Sequence, residues 1–278
     1  MERYQFAVYA TLSAAIWGFS FPITKMGLDY FSPITFAFVR YLIASILFLM
    51  VSLPLSNFRG IGIKRIALLG LTGVTLPTIL QNFGLQSTSA HITGFIQSTG
   101  PIYTVILAYI FLREKINIYK IVGIIIAIMG VYILISPESG GDMKGNILVL
   151  LSAISYSIGG IVAKSLLNDG NKALHVISLS SIMGTFFLAP MIFMENIRFE
   201  MEGMKYLLFL SFFTTFVAYI MWYKAMERME ISRLSFFTYL IPLFALASSS
   251  IFLDEKARMI ALLAGLMAVL GVAIAQKA

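Results

Sequence analysis

The sequence predicts an all-α integral membrane protein, with ten transmembrane helices in two inverted five-helix repeats. Three observations lead there. Hydrophobic residues make up 59% of the 278-residue chain and charged ones 12%, against about 25% charged in a soluble domain. So few charges cannot cover a soluble surface of this size, so the surface faces lipid. Ten apolar stretches approach the ~20 residues needed to cross ~30 Å of hydrocarbon. One long stretch also occurs twice: Pro101–Leu134 aligns without a gap on Pro242–Ala275 at a constant offset of 141.

In order, the apolar stretches are Phe6–Thr24, Ile34–Ser52, Ile66–Gln86, His91–Leu112, Ile118–Ile135, Asn146–Leu166, Ala173–Met194, Tyr206–Ala225, Leu234–Leu253 and Ala257–Ala275. The polar run Gln86-Ser87-Thr88-Ser89 separates the third from the fourth. Only helices and closed barrels satisfy backbone polar groups in lipid, and these runs are too long and too evenly apolar for barrel strands. The first stretch has little positive charge before it and shares Leu-Ser-Ala and a lysine with the sixth, so it reads as a permanent helix rather than a cleaved signal.

The repeat extends over both halves. Phe111-Leu112, Glu114-Lys115 and Gly130-Val131 fall on Phe252-Leu253, Glu255-Lys256 and Gly271-Val272. Near the front, Leu12-Ser13-Ala14 matches Leu151-Ser152-Ala153 and Lys25 matches Lys164, now at an offset of 139, which places Trp17 opposite Tyr156. The halves are therefore 1–136 and 146–278, joined by the linker Ser136–Asp142. With the N-terminus cytoplasmic, 13 of the 20 Lys and Arg fall in inner loops and 6 in outer ones, with Arg40 left inside the second helix. The positive-inside rule then places both termini in the cytoplasm of a multi-pass plasma-membrane protein. Five helices per half make the halves opposite in sense.

Trp17-Gly18 with Lys25, Phe38-Val39-Arg40-Tyr41, Gly84–Ala90 and the twice-used Pro…Phe-Leu-x-Glu-Lys…Gly-Val pattern resemble the EamA branch of the drug/metabolite transporter superfamily. The resemblance covers essentially the whole chain. It implies ten helices in two inverted repeats, a central cavity, and export or uptake of small metabolites, often amino acids.

Polar residues inside the apolar stretches mark where such a cavity would lie. In the fourth helix Gly94, Gln97, Ser98 and Pro101 share one face, and Ser235, Thr238, Tyr239 and Pro242 repeat them. The third helix carries Thr75, Thr78 and Asn82, and the eighth Tyr219, Trp222 and Tyr223. Facing lipid would leave these groups unsatisfied, so they should converge inside the bundle. A single Ser or Thr is best explained as an interhelical tie. The larger groups make the candidate substrate site: Trp17, Asn82, Gln97, Tyr156, Tyr219, Trp222, Tyr223 and Tyr239. Pro101 and Pro242 stand beside the stripes at equivalent places, as hinges or as fixed kinks. Gly123, Ala127 and Gly130, with Ala264, Ala268 and Gly271, form small-residue rows suited to close packing within the chain or to a homodimer.

The remaining signals narrow the chemistry. Every Asp and Glu lies in a loop or at a helix end, so a proton relay through a buried carboxylate is not expected; His91, or sodium on backbone carbonyls, stays open. His91 and His175 read as interfacial, and neither has a second ligand at metal spacing, so no metal and no cofactor are expected. The basic residues sit in short loops, which suits membrane topology rather than nucleic acid. An integral-membrane transferase would need paired Asp motifs or a His/Asp cluster. A scaffold or sensor would bring a soluble domain or long loops. The expected partners are a small-molecule substrate and the lipid bilayer, and the expected function is secondary transport of small organic metabolites, amino acids or related neutral or zwitterionic solutes foremost, by alternating access. Phosphorylated or nucleotide-sugar substrates, with Arg40 as their one intramembrane cation, are the alternative.

Overall fold

The computed structural model describes residues 2–52, 62–113, 118–135 and 142–275. Most of the linker between the halves and the Glu114-Lys115 turn lie outside these residues. The described residues form ten helical rods, named here α1 to α10. The first seven are α1 Glu2–Gly27, α2 Pro33–Ser52, α3 Ile63–Ser87, α4 Ala90–Leu112, α5 Ile118–Ile135, α6 Met143–Asn168 and α7 Ala173–Met191. Rod α8 is Met201–Arg228; α9 joins Ile231–Leu234, Ser235–Leu240 and Ile241–Leu253; α10 is Met259–Ala275. Seven of these are long and apolar enough to cross a membrane, and shorter apolar helices lie in α5, α9 and α10.

Local chemistry explains where the rods deform. Pro77 and Pro101 have no N–H to give the preceding turn, so the helix reorganises just ahead of each. Ahead of Pro77 the backbone widens into a π-helical turn at Leu71–Thr75, and ahead of Pro101 the helix breaks after Gln97. Ahead of Pro242, α9 tightens into a 3-10 helix over Ser235–Leu240. Rod α8 carries its own π-helical stretch, Leu210–Val217. In both π segments a threonine hydroxyl takes up a carbonyl five residues back: Thr75 bonds Gly70 at 3.1 Å and Thr215 bonds Leu210 at 3.0 Å.

The same contacts recur in the two halves with partners exchanged. Ser13 Oγ donates to the Ala218 carbonyl at 2.9 Å, tying α1 to α8, and Ser152 Oγ donates to the Pro77 carbonyl at 2.8 Å, tying α6 to α3. Lys25 Nζ reaches the Thr88 carbonyl at 2.8 Å, and Lys164 Nζ reaches the Met229 carbonyl at 2.9 Å. Arg113 and Asp254, 141 residues apart, end α4 and α9 in the left-handed conformation at φ 58° and 51°. Rods α5 and α10 cross through their small-residue rows: a Cβ at Gly130 would stand 2.6 Å from the Ala268 nitrogen, and one at Gly271 would strike Ala127. The two rows thus meet each other inside the chain.

Acids cap helices in trans at the two ends of the bundle. Glu195, beyond α7, accepts from the Ile34 and Thr35 amides at 3.0 and 2.7 Å, and Glu227 accepts from the Ala173 amide. A carboxylate there offsets unpaired N–H groups and the positive helix end.

Candidate substrate cavity

Seven rods (α1, α2, α3, α4, α6, α8 and α9) enclose a central cavity of about 180 Å³. Of the residues expected at the site, Trp17, Gln97, Tyr156, Tyr219, Trp222 and Tyr223 line it, as does Pro101. Aromatic rings make one wall, with the Trp17 ring centroid 4.9 Å from that of Trp222 and 5.5 Å from that of Tyr219. Trp17 Nε1 donates to the Thr214 carbonyl at 3.2 Å, which sets the angle of the indole. Gln97 is held by two neighbours: its amide donates to Gln81 Oε1 at 3.1 Å and to Ser152 Oγ at 2.9 Å.

Three expected residues stand elsewhere. Asn82 is buried, and its amide donates to the Pro33 carbonyl at 2.9 Å, fastening α3 to the start of α2. Tyr239 packs away from the cavity against Ile102 and Ala127. Pro242 is buried at the start of the last segment of α9 and lies off the wall. The wall positions belong instead to the preceding residues, Gln81 and Thr238. The repeat contained the signal for both, since the offset of 141 carries Gln97 to Thr238 and Gln81 to Trp222. Arg40 also stood outside the expected set. It is 5% exposed, lines the cavity, and donates through Nε to Thr215 Oγ1 at 2.7 Å. Met226 is also on the wall.

The cavity is placed unequally along the bundle. Its lining reaches Met226 in the last turn of α8 and Ile231 at the first residue of α9. Towards the other end it stops at Phe21, Gln81 and Gln97, each six or seven residues short of its helix end, which is about 10 Å of helix. That closed end holds a charged cluster. Glu255, in the turn between α9 and α10, pairs with Lys25 Nζ at 2.8 Å and His91 Nδ1 at 3.0 Å, and accepts the Ala90 amide at 3.0 Å. Burial alone would raise the Glu255 carboxyl, but bonds from His91 and Lys25 outweigh it and lower the pKa to about 2. His91, expected at the interface, is therefore buried by its engagement with Glu255.

Fold and cavity together define a multi-pass helical membrane protein with a solute-sized chamber between its halves. The EamA-like transporter family model matches it twice, over residues 6–136 and 143–275. The chain belongs to the EamA-like transporter family, and is a membrane transporter. An uncharacterized transporter of Archaeoglobus fulgidus is 31% identical over 250 residues, covering 89% of this chain and 90% of its own. A probable amino-acid metabolite efflux pump of Escherichia coli is 25% identical, covering 90% and 87%. A probable terminal-alkyne amino-acid exporter of Streptantibioticus cattleyicolor is 25% identical, covering 98% and 93%. One solved crystal structure shares the fold at a TM-score of 0.73 and 13% identity, covering 96% of this chain and 95% of that one.

Proposed function

We propose that the protein is a secondary carrier for small neutral or zwitterionic metabolites, amino acids foremost, across the cell membrane. The carrying observation is the central chamber of about 180 Å³, walled by aromatic rings and amides and sealed at one end. Such a chamber is smaller than the ~300–1,000 Å³ of drug-sized sites, which favours a small metabolite over a nucleotide sugar. The names of the E. coli and S. cattleyicolor relatives support amino acids and outward movement.

Alternating access fits the exchanged contacts. Ser13 with α8 and Ser152 with α3, and Lys25 and Lys164 at opposite ends, are what two inverted five-helix repeats would produce. On this reading all ten rods cross the membrane, both termini are cytoplasmic, and the closed Lys25 end faces outward. A homodimer would have to use a face other than the small-residue rows. Purified protein in liposomes, tested with labelled amino acids with and without a pH gradient, should move at least one of them under both conditions. No amino-acid movement under either condition would overturn the proposal. Movement of a sugar phosphate alone would replace it with the phosphorylated-metabolite alternative.

A further inference from the structure

We infer that Arg40 is the anchor for a substrate carboxylate, so that the cavity selects organic acids and zwitterions over their uncharged counterparts. This narrows the carrier's substrates proposed above to solutes that bear a carboxylate, amino acids foremost, in place of uncharged ones, and rests on that carrier reading.

Arg40 sits inside α2, seven residues beyond Pro33, and is the one charged side chain among the described residues that line the cavity. It is held from behind. Its Nε is spent on Thr215 Oγ1 at 2.7 Å, and Thr215 Oγ1 is itself fixed to the Leu210 carbonyl of the π-helical stretch at 3.0 Å. Its carbon Cζ lies 5.6 Å from the Tyr41 ring centroid. Among the described residues its two terminal amino groups have no hydrogen-bond acceptor and no carboxylate within 4.0 Å. A buried cation without a counter-charge is expensive in a membrane interior and marks a pathway or ligand site. The neighbouring hydroxyls add donors. Tyr41 and Tyr219 stand 3.4 Å apart, and Thr78 lies 3.4 Å from the Tyr41 hydroxyl and 3.5 Å from that of Tyr156.

A planar guanidinium with both amino groups available matches a carboxylate in a bidentate pair. The charge count selects a monoanion. A phosphate dianion would leave one negative charge unpaired, since no second Lys or Arg lines the cavity among the described residues. No acid among the described residues lines it to meet an ammonium group, but the clustered rings of Trp17, Tyr219 and Trp222, packed edge-on and tilted, offer aromatic faces that can do so by cation–π attraction. An α-amino acid therefore satisfies both ends of the site, and its deaminated acid satisfies the Arg40 end.

The chain has two tryptophans, Trp17 and Trp222, and both line the cavity, so intrinsic fluorescence reports occupancy directly. Purified protein is titrated with L-leucine, L-leucinamide, 4-methylpentanoate, 3-methylbutylamine and inorganic phosphate, and the same compounds compete against labelled amino-acid transport in liposomes. Leucine and 4-methylpentanoate should bind at least tenfold tighter than the amide and the amine, with phosphate weaker than either acid. Arg40→Gln should erase the acid–amide difference, and Arg40→Lys should keep part of it. Equal affinity of acid and amide in the wild type, tighter binding of phosphate, no response to any compound, or an acid preference retained in Arg40→Gln each overturns the anchor. The wild-type comparison stands even where Arg40→Gln fails to fold. Transport of amino acids without acid preference sinks the anchor and leaves the carrier intact; no amino-acid transport at all sinks the carrier.

Discussion

On the proposed carrier reading, Gln97 serves both packing and binding. Its nitrogen ties α4 to α3 and α6 through Gln81 and Ser152 while the side chain faces the cavity. Losing one buried polar contact to substrate weakens binding by about 1–3 kcal/mol, or roughly five- to 150-fold. Gln97→Ala and Trp222→Ala should raise the apparent KM for transport by that factor, with expression and monodispersity near wild type. Leu243→Ala, at a residue 64% exposed on the outside of α9, should leave transport unchanged. Normal transport by both cavity variants would mean that these residues only hold helices together. The same scale shows why Asn82 and Tyr239 were expected at the site and Gln81 and Thr238 were not. Adjacent residues point about 100° apart on a helix, and polarity alone does not choose between two polar neighbours.

The deformed helices do the work at the element scale. The π turns of α3 and α8, the break ahead of Pro101 and the 3-10 segment ahead of Pro242 all lie beside the cavity. Each replaces regular helix where backbone must bend around a chamber. The closed end is held by Glu255, which joins α1 and the start of α4 to the α9–α10 turn. Its folded pKa of about 2 lies below the ordinary value of 4.5, so its stabilisation is complete above about pH 4.5 and is lost as pH falls towards 2. Glu255→Gln should therefore lower the midpoint of thermal unfolding at pH 5, and the gap to wild type should narrow steadily below about pH 4. A gap that does not change with pH would show that Glu255 acts through packing alone.

Across the whole molecule, the two ends differ: one is clamped by Lys25, Glu255, His91 and Glu195, and the other is reached by the cavity beside Met226. On the proposed orientation, which follows the loop bias of Lys and Arg, the clamped end faces the outside. Because the chain has no cysteine, single cysteines report topology cleanly. Glu200→Cys, in the loop whose amide bonds the Tyr30 carbonyl, should react with a membrane-impermeant thiol reagent in intact cells, and Lys172→Cys at the opposite end should not. The reverse pattern would overturn the orientation.

Composition alone was enough to establish the solvent, because 12% charged residues cannot cover a soluble surface. The repeat of 141 residues, with Pro101 and Pro242 at matched places, was enough to locate the polar stripes and the small-residue rows. Those signals survive in sequence because they follow from local rules: lipid demands apolar length, proline removes a donor, and glycine permits close crossing. Tertiary structure decided which face of each rod looks inward. It turned Asn82 to the Pro33 carbonyl, Tyr239 to Ile102, and Arg40 to the cavity. It also brought Glu255 to His91 across 164 residues of sequence. Such choices depend on the partner each rod meets and the rotation at which they cross, and neither is encoded in the pattern of one helix.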